Sequence, residues 1–219
     1  ISLGCDKNRV DSEKLIGLIK ARNYRLTDDL SKAQIVIVNT CAFLQSAREE
    51  AIETVLECAD YKQGCLEKLV VTGCLPQKFI DELFLPLQEA DVFLGINDYE
   101  KLFEALENSY RASERQNYVG KGNDGYISDR VLTTDEHFAY LKIADGCYNH
   151  CTYCLIPKIR GKYRSYPMEK LIEEVKELGE TAELILVAQD TTRYGEDLYG
   201  KNSFVELLRK LSVLDNIRK

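Results

Sequence analysis

Three short apolar runs in the first 74 residues of this chain each end at a cysteine: ISLG before Cys5, IVIVNT before Cys41 and LVVTG before Cys74. Amphipathic stretches separate them, and that alternation predicts a parallel α/β sheet. In such a sheet the carboxyl ends of the strands lie on one edge, where open α/β sheets bind ligands. Thiols far apart in sequence are therefore expected at one place, as a three-cysteine site for a metal cluster. The plainer reading makes them buried small hydrophobes. It requires one residue type to fall at three strand ends by coincidence.

The pattern extends through most of the chain. Ile1–Leu3 reads as the stub of a strand. A helix is predicted from Asp11 to about Arg22, with Leu15, Leu18 and Ile19 at helical spacing. Ile35–Val38 is a strand, and Ser46 with Glu49 reads as a capping box for a helix to about Asp60. Leu69–Thr72 and Asp91–Leu94 read as strands, Gln77–Leu83 and Asp98–Leu106 as helices. From Ser109 the periodicity fades among polar residues and glycines, so 1–108 is expected to be one domain and 109–136 a connector. A second α/β unit follows over 137–219. It has a strand at Tyr140–Ile143, a helix from Met168 to Leu178 ended by Gly179, a strand at Leu184–Ala188, and a last helix capped by Ser203 and Glu206.

Between the first strand and helix of that second unit lies CYNHCTYC, with Cys147, Cys151 and Cys154 spaced C-x3-C-x2-C. Three thiolates can hold three corners of a four-iron four-sulfur cube and leave one iron open for a substrate. Zinc on Cys147, His150, Cys151 and Cys154 is the competing reading. It demands that adjacent His150 and Cys151 turn onto one ion, whereas structural zinc sites draw their ligand pairs from separate segments. Cys58, within a helix, and Cys65, in a polar turn, receive no ligand role, and neither histidine is assigned.

Eight cysteines and no leading signal segment predict a reducing, cytoplasmic setting in which thiols serve metals or catalysis. No apolar run approaches a membrane span. Residues 1–110 carry 12 Lys and Arg against 19 Asp and Glu, whereas residues 111–219 carry 17 against 17. An acidic first half argues against a free-standing nucleic-acid surface and suits a basic protein partner. The chain opens inside an apolar strand without Met and closes just after a helix, so it is expected to be part of a longer protein.

The spacing C-x3-C-x2-C with Tyr153 before its last cysteine resembles the signature of the radical S-adenosylmethionine (SAM) enzymes. Taken with Cys5, Cys41 and Cys74, the two cysteine sets resemble those of the methylthiotransferases within that group. Three strings carry the likeness: ISLGCDKNRVDSE at 1–13, GCYNHCTYCLIPKIRGKYRS at 146–165 and LVAQDTTRYG at 186–195. They look most like the branch that methylthiolates an aspartate of small-subunit ribosomal protein S-twelve. The tRNA-modifying branch more often has Gln-Asn where this chain has Gln189-Asp190. Tyr166 stands where the first branch often has arginine, and Arg9 where an apolar residue is usual.

The resemblance implies a Rossmann-like parallel-sheet domain with an auxiliary iron–sulfur cluster, followed by the first two βα units of a radical-SAM, partial TIM-type barrel. It implies two four-iron clusters, on Cys5, Cys41 and Cys74 and on Cys147, Cys151 and Cys154. SAM is implied as both radical source and methyl donor, with the auxiliary cluster as the sulfur site. A donor such as flavodoxin or ferredoxin would supply the electron that splits SAM. Tyr153 is expected near the adenine, and Ala188, Gln189 and Asp190 at the methionine amino group. Arg160 and Arg164, in the basic run from Lys158, are expected to grip a carboxylate of SAM or of the substrate. Asn8, Asp11 and Asn39 flank the auxiliary cysteines and are expected to orient them, although Asp11 could equally cap a helix. No acid–base catalyst is assigned. The rival functions are the same chemistry on tRNA and a non-catalytic iron–sulfur or zinc module.

Overall fold

Four parallel strands form the first sheet, in the spatial order β1 (Ile35–Thr40), β2 (Lys68–Gly73), β3 (Val92–Phe93) and β4 (Gln116–Asn117). The computed structural model describes residues 1–122, 129–135, 137–201 and 203–217. The chain divides into two compact units, Ile1–Gly125 and Tyr126–Lys219. Residues 123–128 and 136 of the expected connector, including Gly125, lie outside the described residues.

In the first unit the helices are α1 (Asp6–Ala21), α2 (Gln45–Ala59), α3 (Cys74–Leu83) and α4 (Leu102–Ala112). The N-terminal stub runs beside β1, with Asn39 N–H donating to the Ile1 carbonyl and Leu3 N–H to the Asn39 carbonyl, each at 2.9 Å. β1 and β2 pair in register from Ile35 opposite Lys68 to Thr40 opposite Gly73. Val36, Val38, Leu69, Val71 and Phe93 pack against Ala51, Val55 and Cys58 of α2 and Leu75 and Leu83 of α3. Strand alternation turns buried Val70 and Val92 to the opposite face.

Several boundaries differ from expectation for physical reasons. α1 begins at Asp6 rather than Asp11 because the face buried by its first turns is polar: Asn8, Asp11, Ser12 and Glu13 are all buried there. Apolar spacing cannot reveal such a face. Asp11 is consequently an interior residue of the helix and caps nothing. α2 has Leu44 at its N-cap position, and Glu49 accepts from the Gln45 side chain at 2.9 Å instead of closing a box with Ser46. α4 follows a short 3-10 turn at Tyr99–Lys101 and runs on to Ala112, so fully buried Ser109 belongs to a helix. β4, two polar residues inside the expected connector, completes the sheet. Asp98 then gathers the amides of Gly95, Gly120 and Gly122 at the end of the unit.

In the second unit β5 (Phe138–Lys142) pairs in parallel with β8 (Glu183–Val187). β6 (Ala144–Asp145) pairs antiparallel with β7 (Arg164–Ser165). The helices are α5 (Ile156–Ile159), α6 (Met168–Glu177) and α7 (Ser203–Leu211). Leu141 and Ile143 pack with Met168, Leu171, Val175, Tyr194, Leu207 and Leu211. Gly179 takes a positive φ of 77° just after α6, as a helix-ending glycine does. Ser203 opens α7 with its hydroxyl donating back to the Gly200 carbonyl at 2.6 Å, and Glu206 pairs with Lys210, so the expected box between them is not formed. Arg130 and Glu174 form an ion pair at 3.2 Å with both side chains 1% exposed. No helix among the described residues is long and apolar enough to cross a membrane.

Candidate functional site

The ends of β1 and β2 create the first site. Thr40 lies opposite Gly73, so Cys41 and Cys74 leave two paired strands side by side. Cys74 is the first residue of α3, and Cys5 is the N-cap of α1 with extended backbone. Two helix N-termini, the ends that favour negative charge, thus carry two of the three thiols. Gly4 presses the chain before Cys5 onto the third: a Cβ there would stand 2.8 Å from Cys41 Cβ and 3.3 Å from its sulfur. Asn8, wholly buried, donates to the Thr40 carbonyl at 2.8 Å and the Leu3 carbonyl at 3.1 Å, and Cys74 Sγ lies 3.7 Å from its Oδ1. Asn39 donates to the Asn8 carbonyl at 2.9 Å and to Ser12 Oγ at 2.8 Å. Cys5 is exposed and Cys41 and Cys74 half-buried, which leaves the edge accessible.

The second site is the loop between β6 and α5, closed at its neck. Gly146 has φ of 77°, and any side chain there would run into the Lys162 carbonyl. Cys147 N–H donates to the Gly161 carbonyl at 3.2 Å. Buried Asp145 accepts from Gly146 N–H at 3.0 Å, from Lys142 Nζ at 3.1 Å and from the Arg160 guanidinium at 3.1 Å. Burial opposes ionisation of this carboxyl, but Lys142 and Arg160 together outweigh it and hold Asp145 well below the usual carboxylate range. Within the loop, His150 adopts a left-handed conformation with φ of 47°, and Cys154 N–H donates to the Cys151 carbonyl at 3.0 Å.

The turn after β8 meets this loop. Asn149 Nδ2 donates to Asp190 Oδ2, and the Arg193 guanidinium donates to Asn149 Oδ1, both at 3.4 Å. The Tyr163 hydroxyl donates to the Asp190 carbonyl at 2.9 Å. Burial pushes the Tyr163 phenol up to about 12, which keeps it a neutral donor. The Thr192 hydroxyl, with the Asn149 amide, holds the Asp190 carboxyl below its ordinary value. Gln189 Oε1 is buried and has no hydrogen-bond partner among the described residues. An orphaned acceptor of this kind suits an absent donor such as an ammonium group.

The expected ligand-contact residues divide. Asp190 meets the loop through Asn149, Gln189 precedes it in the turn after β8, and Ala188 packs against the second unit's core. Tyr153 is 82% exposed. Arg160 is 3% exposed and pairs with Asp145 at 3.1 Å, so it closes the neck of the loop. Arg164 is half-buried in β7, opposite Asp145. Sequence reasoning missed Asp145, Asn149, Tyr163 and Arg193. Only Asn149, inside the C-x3-C spacer, carried a positional signal.

No set of three His, Cys, Asp or Glu among the described residues is gathered tightly enough for one metal ion. Zinc takes such a tetrahedral set, whereas a four-iron cube distributes its thiolates over separate irons. Three cysteines in each unit are the number that a cube with one open iron would need. Cys58 is buried in the first unit's core at 2% exposure, and Cys65 is exposed in a turn.

Two family models match the chain, one to each unit. Residues 1–95 match the Uncharacterized protein family UPF0004, and residues 141–217 match the Radical SAM superfamily. The chain is 50% identical over 224 residues to the ribosomal protein uS12 methylthiotransferase RimO of Lachnoclostridium phytofermentans, covering 99% of this chain and 50% of the relative. It is 50% identical over 221 residues to the protein of that name in Clostridium tetani, covering 99% and 49%. For that of Clostridium botulinum the identity is 47% over 226 residues, covering 100% and 50%. The chain spans about half the length of the curated relatives it matches. The two domain types imply iron–sulfur clusters and SAM. Both models thus match in this order on one chain, and that chain is similar along its whole length to half of proteins named uS12 methylthiotransferases.

Proposed function

We propose that this chain is the cluster-bearing part of an enzyme that adds a methylthio group to the β-carbon of an aspartate in small-subunit ribosomal protein uS12. One observation carries the reading: each unit carries three free cysteines, at strand ends in the first and in one loop of the second, and the relatives matched along the whole chain are named uS12 methylthiotransferases. Cys147, Cys151 and Cys154 would hold the four-iron cluster that engages SAM, and Cys5, Cys41 and Cys74 the auxiliary one. When bound, these groups supply hydrogen-atom abstraction from an unactivated carbon, and the sulfur and methyl of the product.

The chain's own residues bind and orient. The Asp145–Arg160 neck fixes where the cysteine loop leaves the strand and returns to it. Asp190 and Gln189 offer oxygens to the SAM ammonium, and Tyr163 sets the turn that carries them. Arg164, half-buried in β7, would be a cation for a carboxylate of SAM or of the substrate. Exposed Tyr153 is available to cover the adenine. The acidic first unit suits a basic ribosomal protein, and a cytoplasmic flavodoxin or ferredoxin suits the electron supply.

The test is an anaerobic assay of the complete protein, reconstituted with iron and sulfide, against uS12 and tRNA in parallel. Methylthiolated uS12 aspartate, with 5′-deoxyadenosine formed by the wild type and lost in Cys151→Ala, is the expected result. Thiomethylated tRNA beside unmodified uS12 would reassign the substrate. Bound zinc without iron, or 5′-deoxyadenosine from Cys151→Ala, would overturn the catalytic reading.

A further inference from the structure

We infer that Asn8 is the positioning residue that assembles the auxiliary three-thiol site before any cluster enters it. One buried side chain touches all three cysteine-bearing segments. Its two amide hydrogens go to the Leu3 carbonyl, two residues before Cys5, and to the Thr40 carbonyl, next to Cys41. Its oxygen faces the sulfur of Cys74 itself at 3.7 Å. Because Nδ2 donates to two carbonyls, neither of which could face the amide oxygen instead, the orientation of the amide is fixed.

Asn8 is itself held. Asn39 donates to its backbone carbonyl, and the same Asn39 amide donates to Ser12 Oγ, which donates to Ser2 Oγ at 2.8 Å. The Thr40 hydroxyl donates to the Thr72 carbonyl at 2.6 Å and accepts from Leu75 N–H at 3.3 Å, so the Cys41 and Cys74 segments are also tied directly. The Cys5 segment reaches these strand ends through the stub beside β1 and through Asn8. Removing the Asn8 amide strips buried donors from two carbonyls and leaves the Cys5 segment tied to the other two only through the stub beside β1. All of these bonds join residues of the first unit, so the effect is expected at one site.

The inference rests on the two-cluster reading above, and the test separates the two. Full-length wild type, Asn8→Ala, Asn8→Asp and Ser12→Ala proteins are reconstituted anaerobically. Iron, acid-labile sulfide and the electron paramagnetic resonance of the reduced clusters are measured, with circular dichroism on the apo proteins. Wild type is expected near eight irons per chain. Asn8→Ala and the near-isosteric Asn8→Asp, which loses both donors, are expected to fall to about half, with the remaining resonance that of the SAM-engaging cluster. Ser12→Ala, one link further out, is expected to keep both clusters. Wild-type iron and resonance in either Asn8 variant overturn the inference. So does loss of both clusters or of the apo fold in both Asn8 variants, which assigns Asn8 a purely structural role. A wild type that itself takes only about four irons fails the two-cluster reading, and the inference falls with it.

Discussion

Asp145 and Arg160 meet at 3.1 Å across the neck of the cysteine loop, with side chains 3% and 2% exposed. Lys142 reaches the same carboxylate oxygen at 3.1 Å. Removing the carboxylate would take an ion-pair partner from two buried cations. Breaking a buried ion pair from one side typically costs about 3–5 kcal/mol, so Asp145→Asn is expected to destabilise the protein by that order at neutral pH. The folded-state pKa of Asp145 is depressed, so its contribution is complete above the unfolded carboxylate value of about 3.9. It is lost as pH falls through the lower folded value. Urea unfolding of wild type and variant across pH should show a gap that is constant near neutrality and narrows only in strong acid. A gap that closes between pH 7 and 5 would contradict this account of the neck.

Gly146 gives the neck its backbone. Its φ of 77° and its contact with the Lys162 carbonyl leave no room for a side chain. A left-handed non-glycine residue costs roughly 1–2 kcal/mol before any clash is counted. Gly146→Ala is expected to displace Cys147 and lower iron binding to about half the wild-type value, with 5′-deoxyadenosine formation abolished. Full iron content and normal SAM cleavage in this variant would show that the neck does not govern the loop.

How much of this is legible in the sequence depends on whether burial is apolar. The strands ending at Cys41 and Cys74 are legible because β-branched runs mark them, and parallel topology places their ends together. The start of α1 is not, because the face that it buries is made of Asn8, Asp11, Ser12 and Glu13, residues that ordinarily signal exposure. β4 is two polar residues paired with Val92 and Phe93, which no apolar run announces. Arg160 looks like a free cation in a basic run. Only the fold brings Asp145, fifteen residues earlier, against it.

Cys58 separates packing from ligation. It lies in the core formed by α2 and the sheet, 2% exposed, and burial pushes its thiol pKa up. Cys58→Ser is expected to leave iron content unchanged while costing about 1–3 kcal/mol for a hydroxyl placed among apolar neighbours. Exposed Cys65→Ser should change neither quantity. Iron analysis with thermal unfolding of the two variants checks both statements. Loss of iron in either would add a ligand to the six proposed.

Asn149 joins the cysteine loop to the turn after β8, donating to Asp190 and accepting from Arg193. Both bonds are long at 3.4 Å and exposed, so each contributes toward the lower end of the usual range of about 0.5–1.5 kcal/mol. Their removal is expected to leave the three thiols in place, because the neck and the Cys151–Cys154 turn do not use the Asn149 side chain and its N–H still donates to Cys147 Sγ. It does remove one of the two side chains that hold the Asp190 carboxyl, which is proposed to meet the SAM ammonium. Asn149→Ala in the full-length protein is therefore expected to keep both clusters and to bind SAM about fivefold more weakly, a change of about 1 kcal/mol. Titration calorimetry with SAM on the reconstituted variant measures this directly. Unchanged affinity would detach the Asp190 turn from SAM binding, and loss of the cluster would move Asn149 from the turn's support to the loop's.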